Sequence, residues 1–132
     1  MQTLNREMAV TKRVLIVDDH MELRKLVRMT LDYDGYEIHE AENGDRALEM
    51  VGELRPDVLV LDVMMPGSLD GYQVCEAVKS DPTLTSVNVI LLTARGQQRD
   101  LVQGAKVKAD SYLVKPFSPL ELIDTVERAL AA

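Results

Sequence analysis

Lys12-Arg13-Val14-Leu15-Ile16-Val17-Asp18-Asp19 is an apolar, β-branched run that two carboxylates cut short. Four consecutive apolar residues, without the alternation of a half-exposed strand, predict a strand buried on both faces. The same design returns at Asp57-Val58-Leu59-Val60-Leu61-Asp62, where an aspartate again ends the run. Between the two, Leu23, Leu26, Val27 and Leu31 recur at helical spacing with charges among them. Gly35 suits a helix C-terminal stop, and a shorter strand is expected over residues 36–41. Asn43 then caps a helix whose apolar face is Ala47, Leu48, Val51 and Leu54, and Pro56 stops it.

Beyond Asp62, a loop with Pro66, Gly67 and Ser68 leads into a helix expected over 70–80. A fourth strand is predicted at 87–92, ending at Thr93-Ala94, and a polar helix at 98–106. The fifth strand, at 110–114, ends at Lys115-Pro116. Ser118 caps a last helix with Pro119 at its first position and Leu122, Ile123, Val126 and Leu130 on one face. Five strands alternating with five helices predict an α/β fold, a doubly wound five-stranded parallel sheet covered on both faces. Residues 1–11 are expected to be a flexible tail and 12–132 a single domain.

The 132 residues carry a net charge of -7, with no basic surplus to offset phosphate repulsion, so nucleic-acid binding by this chain is not expected. No apolar stretch approaches the roughly 20 residues that span a bilayer, so no membrane partner is expected either. The N-terminal residues lack the apolar core of a signal peptide, and a single cysteine, Cys75, precludes an internal disulfide. These features agree with a cytoplasmic protein.

In an open parallel sheet, chemistry collects at the carboxyl ends of the strands. Here those ends carry Asp18 and Asp19, Asp62, Thr93 and Lys115. Three carboxylates in one place repel and call for compensation, which a hard cation such as Mg2+ supplies. Lys115 adds a positive charge and Thr93 a hydroxyl donor. An aspartate nucleophile, a metal, a lysine and a hydroxyl are the parts needed to accept a phosphoryl group. Each residue alone has a blander reading. An aspartate after a strand is more often a turn or cap residue, and Lys-Pro is often only a strand terminus. The joint placement of all five at strand ends is what favours the chemical reading. Cys75 reads as core. His20 is expected to begin the first helix, and neither it nor His39 is expected to carry a phosphoryl group.

The sequence resembles the receiver domain of two-component response regulators. The resemblance rests on Val14-Leu15-Ile16-Val17-Asp18-Asp19, Asp62-Val63-Met64-Met65-Pro66 with Asp70-Gly71, Leu91-Leu92-Thr93-Ala94, and Tyr112-Leu113-Val114-Lys115-Pro116-Phe117, and it spans about 13–130. It implies a flavodoxin-like receiver fold. It also implies that Asp62 is the phosphoacceptor, and that Asp18, Asp19, Asp62 and the backbone carbonyl of Met64 hold Mg2+. Thr93, with Ala94 beside it, and Lys115 would contact the phosphoryl group, and Tyr112 would be the switch aromatic. The Lys115-Pro116 bond would be cis. The donor would be a sensor histidine kinase or a histidine phosphotransfer protein. The readout would reach a downstream effector or a fused output domain through the surface of the fourth helix, fifth strand and last helix. Such a chain is a signalling phosphoacceptor that assists its own phosphorylation and dephosphorylation rather than an enzyme.

Two features depart from the family pattern. Three residues, Gly67, Ser68 and Leu69, separate Pro66 from Asp70-Gly71 where two are common, and Lys108 stands where a glycine often precedes the fifth strand. Rival readings fare worse. An aspartate-nucleophile phosphatase needs a second carboxylate two residues after the nucleophile, and this chain has Met64 there. A flavodoxin-like cofactor binder needs a Gly/Ser/Thr-rich phosphate loop where this chain has Asp18-Asp19-His20. The remaining alternative is a receiver-like interaction module that is not phosphorylated.

Overall fold

The computed structural model of the chain describes residues 11–32, 35–94 and 105–131. In chain order they form β1 (Arg13–Val17), α1 (Met21–Asp32), β2 (Glu37–Ala41), α2 (Gly44–Leu54), β3 (Val58–Asp62) and α3 (Gly71–Ser80). A 3-10 turn (Pro82–Leu84), β4 (Asn88–Ala94), β5 (Ser111–Lys115) and α4 (Pro119–Ala131) follow. The five strands pair in the order β2-β1-β3-β4-β5, and every pairing is parallel. The chain thus winds one way from β1 and back the other from β3. That reversal opens a crevice at the carboxyl ends of β1 and β3.

The unbroken apolar runs follow from burial on both faces. Leu15, Val17, Leu59, Leu61, Val89 and Leu91 point into a core shared with Ala47, Met50 and Val51 of α2 and Val74, Cys75 and Val78 of α3. Their alternates Val14, Ile16, Val58, Val60, Ile90, Leu92 and Leu113 meet Val27 and Leu31 of α1 and Leu122 and Val126 of α4. Cys75 is accordingly a core residue, and burial pushes its thiol up to about 11.

Four α-helices are seen among the described residues where the sequence predicts five. The difference is the helix expected at 98–106, which lies outside the described residues except for Ala105 and Lys106, both helical. The expected tail also lies outside them, apart from Thr11. One core expectation is overturned: Leu26 is 52% exposed. At about 100° per residue, Leu23, Val27 and Leu31 make one stripe and Leu26 is rotated off it. β4 runs two residues further than predicted and takes in Thr93 and Ala94.

The caps are as the residue types suggest. Asn43 accepts the Arg46 amide at 2.8 Å. Asp70 and Gln73 form a reciprocal capping box at α3, and Ser118 and Glu121 exchange the same pair of bonds at α4. The longer loop before α3 is tied to α2, with Ser68 Oγ donating to Asp45 Oδ2 at 2.8 Å. Lys108 adopts φ +64°, the region that favours glycine, so the turn into β5 is built as a glycine would build it. Lys108→Gly is therefore expected to raise stability by roughly 0.5–1 kcal/mol. The check is the urea midpoint at unchanged slope; a lower midpoint would mean that the lysine side chain contributes more than its backbone conformation costs.

Candidate functional site

The carboxyl ends of β1, β3 and β5 bring Asp18, Asp19, Asp62 and Lys115 together. The Asp18 amide donates to the Ala41 carbonyl at 3.2 Å, which carries the β1–β2 pairing one residue past the strand. Arg24 of α1 donates to the Asp18 carbonyl at 2.7 Å, which locks the turn from β1 into α1. Asp62 closes β3 opposite Leu92, and the Val63 amide extends that pairing by donating to the Leu92 carbonyl at 3.2 Å. α3 begins hard against this point, with the Gly71 amide donating to the Val63 carbonyl at 3.1 Å. Lys115 ends β5, and the Lys115–Pro116 peptide is cis.

Asp18 is 0% exposed and Asp62 2%. Lys115 Nζ lies 3.1 Å from Asp62 Oδ1 and 3.5 Å from Asp18 Oδ2, bridging the two carboxylates. The Met64 amide also donates to Asp62 Oδ1, at 3.4 Å. Asp62 Oδ2 and Asp19 Oδ1 are buried oxygens without a hydrogen-bond donor. His20 Nδ1 is 3.3 Å from Asp19 Oδ1, an ion pair only when the ring is protonated. Burial first, then the charge of Asp18, push the Asp62 carboxyl above its usual range; Lys115 and the Met64 amide oppose this without cancelling it. One lysine thus leaves the cluster short of positive charge. The orphaned oxygens are hard donors of the kind Mg2+ takes, so the residues present fit that ion.

Thr93 is buried near the carboxyl end of β4, and Ala94 stands opposite Lys115 in the β4–β5 register. Tyr112 is half-buried against the core on the α2–α3 side of the sheet. Met64 is 72% exposed beside Asp62.

Two features of the site escaped the sequence reading. His20 starts α1 as expected, its carbonyl accepting the Arg24 amide at 3.1 Å, but its backbone amide and Nδ1 also both engage Asp18 Oδ1, at 2.8 and 3.0 Å. Arg24 also reaches Glu40 Oε1 at 3.0 Å, and Arg28 reaches Glu40 Oε2 at 2.6 Å. Burial pushes the Glu40 carboxyl up, but the two arginines outweigh it and hold it below its usual range. Arg24 at position i and Arg28 at i+4 share a helix face, a spacing that signals a common partner without naming it.

Comparison with known proteins points the same way. The response regulator receiver domain family matches residues 14–127. The transcriptional regulatory protein ResD of Bacillus subtilis is 42% identical over 118 residues, 89% of this chain and 48% of that protein. The phosphate regulon transcriptional regulatory protein PhoB of Pseudomonas aeruginosa is 38% identical over 121 residues, 92% of this chain and 52% of that protein. The chain thus spans about half the length of these relatives. Among solved structures, chemotaxis protein CheY4 of Vibrio cholerae superposes with a TM-score of 0.85 at 34% identity, covering 92% of this chain and 100% of that one. Among the described residues, no helix is long and apolar enough to cross a membrane.

Proposed function

This chain belongs to the response regulator receiver domain family, and from that premise we propose that it is a phosphoacceptor, with Asp62 as the residue that takes the phosphoryl group. The observation that carries the reading is the state of the Asp62 carboxylate. It is buried at a strand end, one oxygen is held by Lys115 and the Met64 amide, and the other is uncommitted.

The donor in this reading is a phosphohistidine on a sensor histidine kinase or a histidine phosphotransfer protein. A carboxylate oxygen of Asp62 attacks phosphorus, the phosphorus–nitrogen bond breaks, and the electron pair leaves with the imidazole. Asp18, Asp19, Asp62 and the Met64 carbonyl would hold Mg2+, whose charge would offset that of the transferring oxygens. Lys115, already 3.1 Å from Asp62, turns to pair with the bound phosphoryl group. The Thr93 hydroxyl, beside Ala94, donates to another phosphoryl oxygen. With Thr93 engaged, the Tyr112 ring biases a two-state equilibrium at the β5–α4 surface, which a downstream effector or a fused output domain reads. The setting is the cytoplasm, and the chain acts on its own phosphorylation and dephosphorylation rather than on a separate substrate.

Incubation with Mg2+ and a small phosphodonor, followed by intact mass, tests this directly. Wild type is expected to gain one phosphoryl group and Asp62→Asn none. An unmodified wild type, or equal modification of both, sinks the assignment.

A further inference from the structure

His20 stands at the rim of the acidic cluster with its ring 68% exposed on the side-chain scale. It is not loose. Its backbone amide donates to Asp18 Oδ1 at 2.8 Å, which fixes where the ring departs from the chain. Its Nδ1 lies 3.0 Å from Asp18 Oδ1 and 3.3 Å from Asp19 Oδ1. One ligand atom from each of Asp18, Asp19, His20 and Asp62 falls within 4.8 Å of all the others. A second observation comes from Asp62, which is 2% exposed, contributes a carboxylate oxygen to this cluster of donors and has one oxygen, Oδ2, buried with no hydrogen-bond partner.

These spacings suit a cation with an imidazole in its shell. Around an ion with bonds of about 2.0–2.1 Å, neighbouring ligand atoms stand about 2.8–3.4 Å apart, the lower end for octahedral and the upper end for tetrahedral geometry. The two His20 distances fall in that interval. Ligand type then decides which ion gains. Mg2+ takes oxygen donors and keeps its waters, so an imidazole adds little for it. Zinc and similar borderline ions take imidazole readily.

We propose that His20 is a fourth protein ligand that tunes this site toward borderline divalent cations of the zinc class, with Asp18, Asp19 and Asp62 as the oxygen donors. The proposal rests on the reading of the acidic cluster as a metal site and adds a nitrogen donor to it. The competing account makes His20 a plain hydrogen-bond partner of Asp18. The two accounts differ in what removing the ring does. A hydrogen-bonding ring orients Asp18 for any ion, so its loss weakens Mg2+ and Zn2+ alike. A ligating ring matters to Zn2+ alone.

The chain has two histidines, and the other serves as the control. His39 pairs through Nε2 with Glu37 Oε2 at 2.7 Å on β2. Calorimetric titration of the full, untagged chain with Zn2+ and, separately, with Mg2+ compares wild type, His20→Gln and His39→Gln. His20→Gln is expected to weaken Zn2+ roughly tenfold or more, since even partners of metal ligands carry that much. Mg2+ affinity is expected to stay within about twofold. His39→Gln is expected to leave the tight Zn2+ site as it is. Unchanged Zn2+ affinity in His20→Gln, equal weakening of both ions, or loss of the tight site in His39→Gln each overturns the ligand role while leaving Mg2+ binding intact as a finding. A wild type that binds neither ion overturns the metal-site reading itself.

Discussion

Gly71→Ala is expected to lower the unfolding free energy by about 3 kcal/mol, at the upper end of what overpacking costs. A Cβ at this position would lie 2.2 Å from the Asp62 carbonyl oxygen, 2.6 Å from Val63 Cα and 2.8 Å from the Asp62 carbonyl carbon. All three are backbone atoms, so no side chain can swing aside. Relief needs either α3 to lift or the end of β3 to shift. Lifting α3 uncovers Val74, Cys75 and Val78, each 0% exposed. Shifting β3 breaks its pairing with β4 at Asp62 and moves the carboxylate away from Lys115. Gly52 of α2 provides the contrast, because a Cβ there would meet nothing within 4 Å. Gly52→Ala is expected to stabilise by roughly 0.5–1 kcal/mol through helix propensity alone. Denaturant unfolding of the two variants side by side checks the argument, and a Gly71→Ala variant as stable as wild type would refute the close approach.

The role of Gly71 shows where sequence reading stops. Asp70-Gly71 is visible as a motif, but a motif does not say which backbone passes within touching distance. The strands were legible because a parallel sheet buried on both faces demands unbroken apolar runs, and Val14–Val17 and Val58–Leu61 carry that demand in their composition alone. The five polar strand-end residues were legible for the same reason, since an apolar run makes its own end conspicuous. Leu26 was misplaced because a leucine at helical spacing looks alike whether it lies on the buried stripe or one step round from it. The Glu40 network was invisible because its arginines and its carboxylate come from different elements, and only the fold brings them together. His20 was legible as the start of α1, but its contacts with Asp18 were not, because they are set by where the Asp18 side chain turns. Lys108 tested the opposite limit. A lysine stands where a glycine is common, yet the backbone takes the left-handed conformation regardless, because the pairing of β4 with β5 outweighs a local cost of about 1 kcal/mol.

Without divalent cations, Asp62→Asn is expected to unfold about 5 °C above wild type near neutral pH, as the loss of a buried, half-satisfied charge would bring about 1–3 kcal/mol. Two effects oppose each other here. The variant gives up the Lys115 contact at 3.1 Å, but Lys115 keeps Asp18 at 3.5 Å. In return it removes a carboxylate with one buried oxygen unpartnered and a second buried carboxylate nearby. The direction of the Asp62 shift decides between them: burial and Asp18 raise it despite Lys115, so the net environment opposes the charged form. The pH dependence follows from the same sign. A carboxyl raised in the folded state holds its proton longer than in the unfolded chain, so folding loses stability as pH rises through the interval between the two values. The gap between variant and wild type is therefore complete above that interval and closes as pH falls below the ordinary carboxylate range. Thermal melts at neutral pH and near pH 3 measure it; a variant that melts lower than wild type at neutral pH contradicts the argument. Mg2+ supplies the independent check. A ligand at ten times its dissociation constant adds about 1.4 kcal/mol to the form that binds it, so Mg2+ is expected to raise the wild-type midpoint and to narrow the lead of Asp62→Asn. The uncommitted oxygen of Asp62 thus explains both halves of the behaviour. It costs stability while the site lacks positive charge, and in the proposed reading that same lack of a partner leaves it free to meet phosphorus.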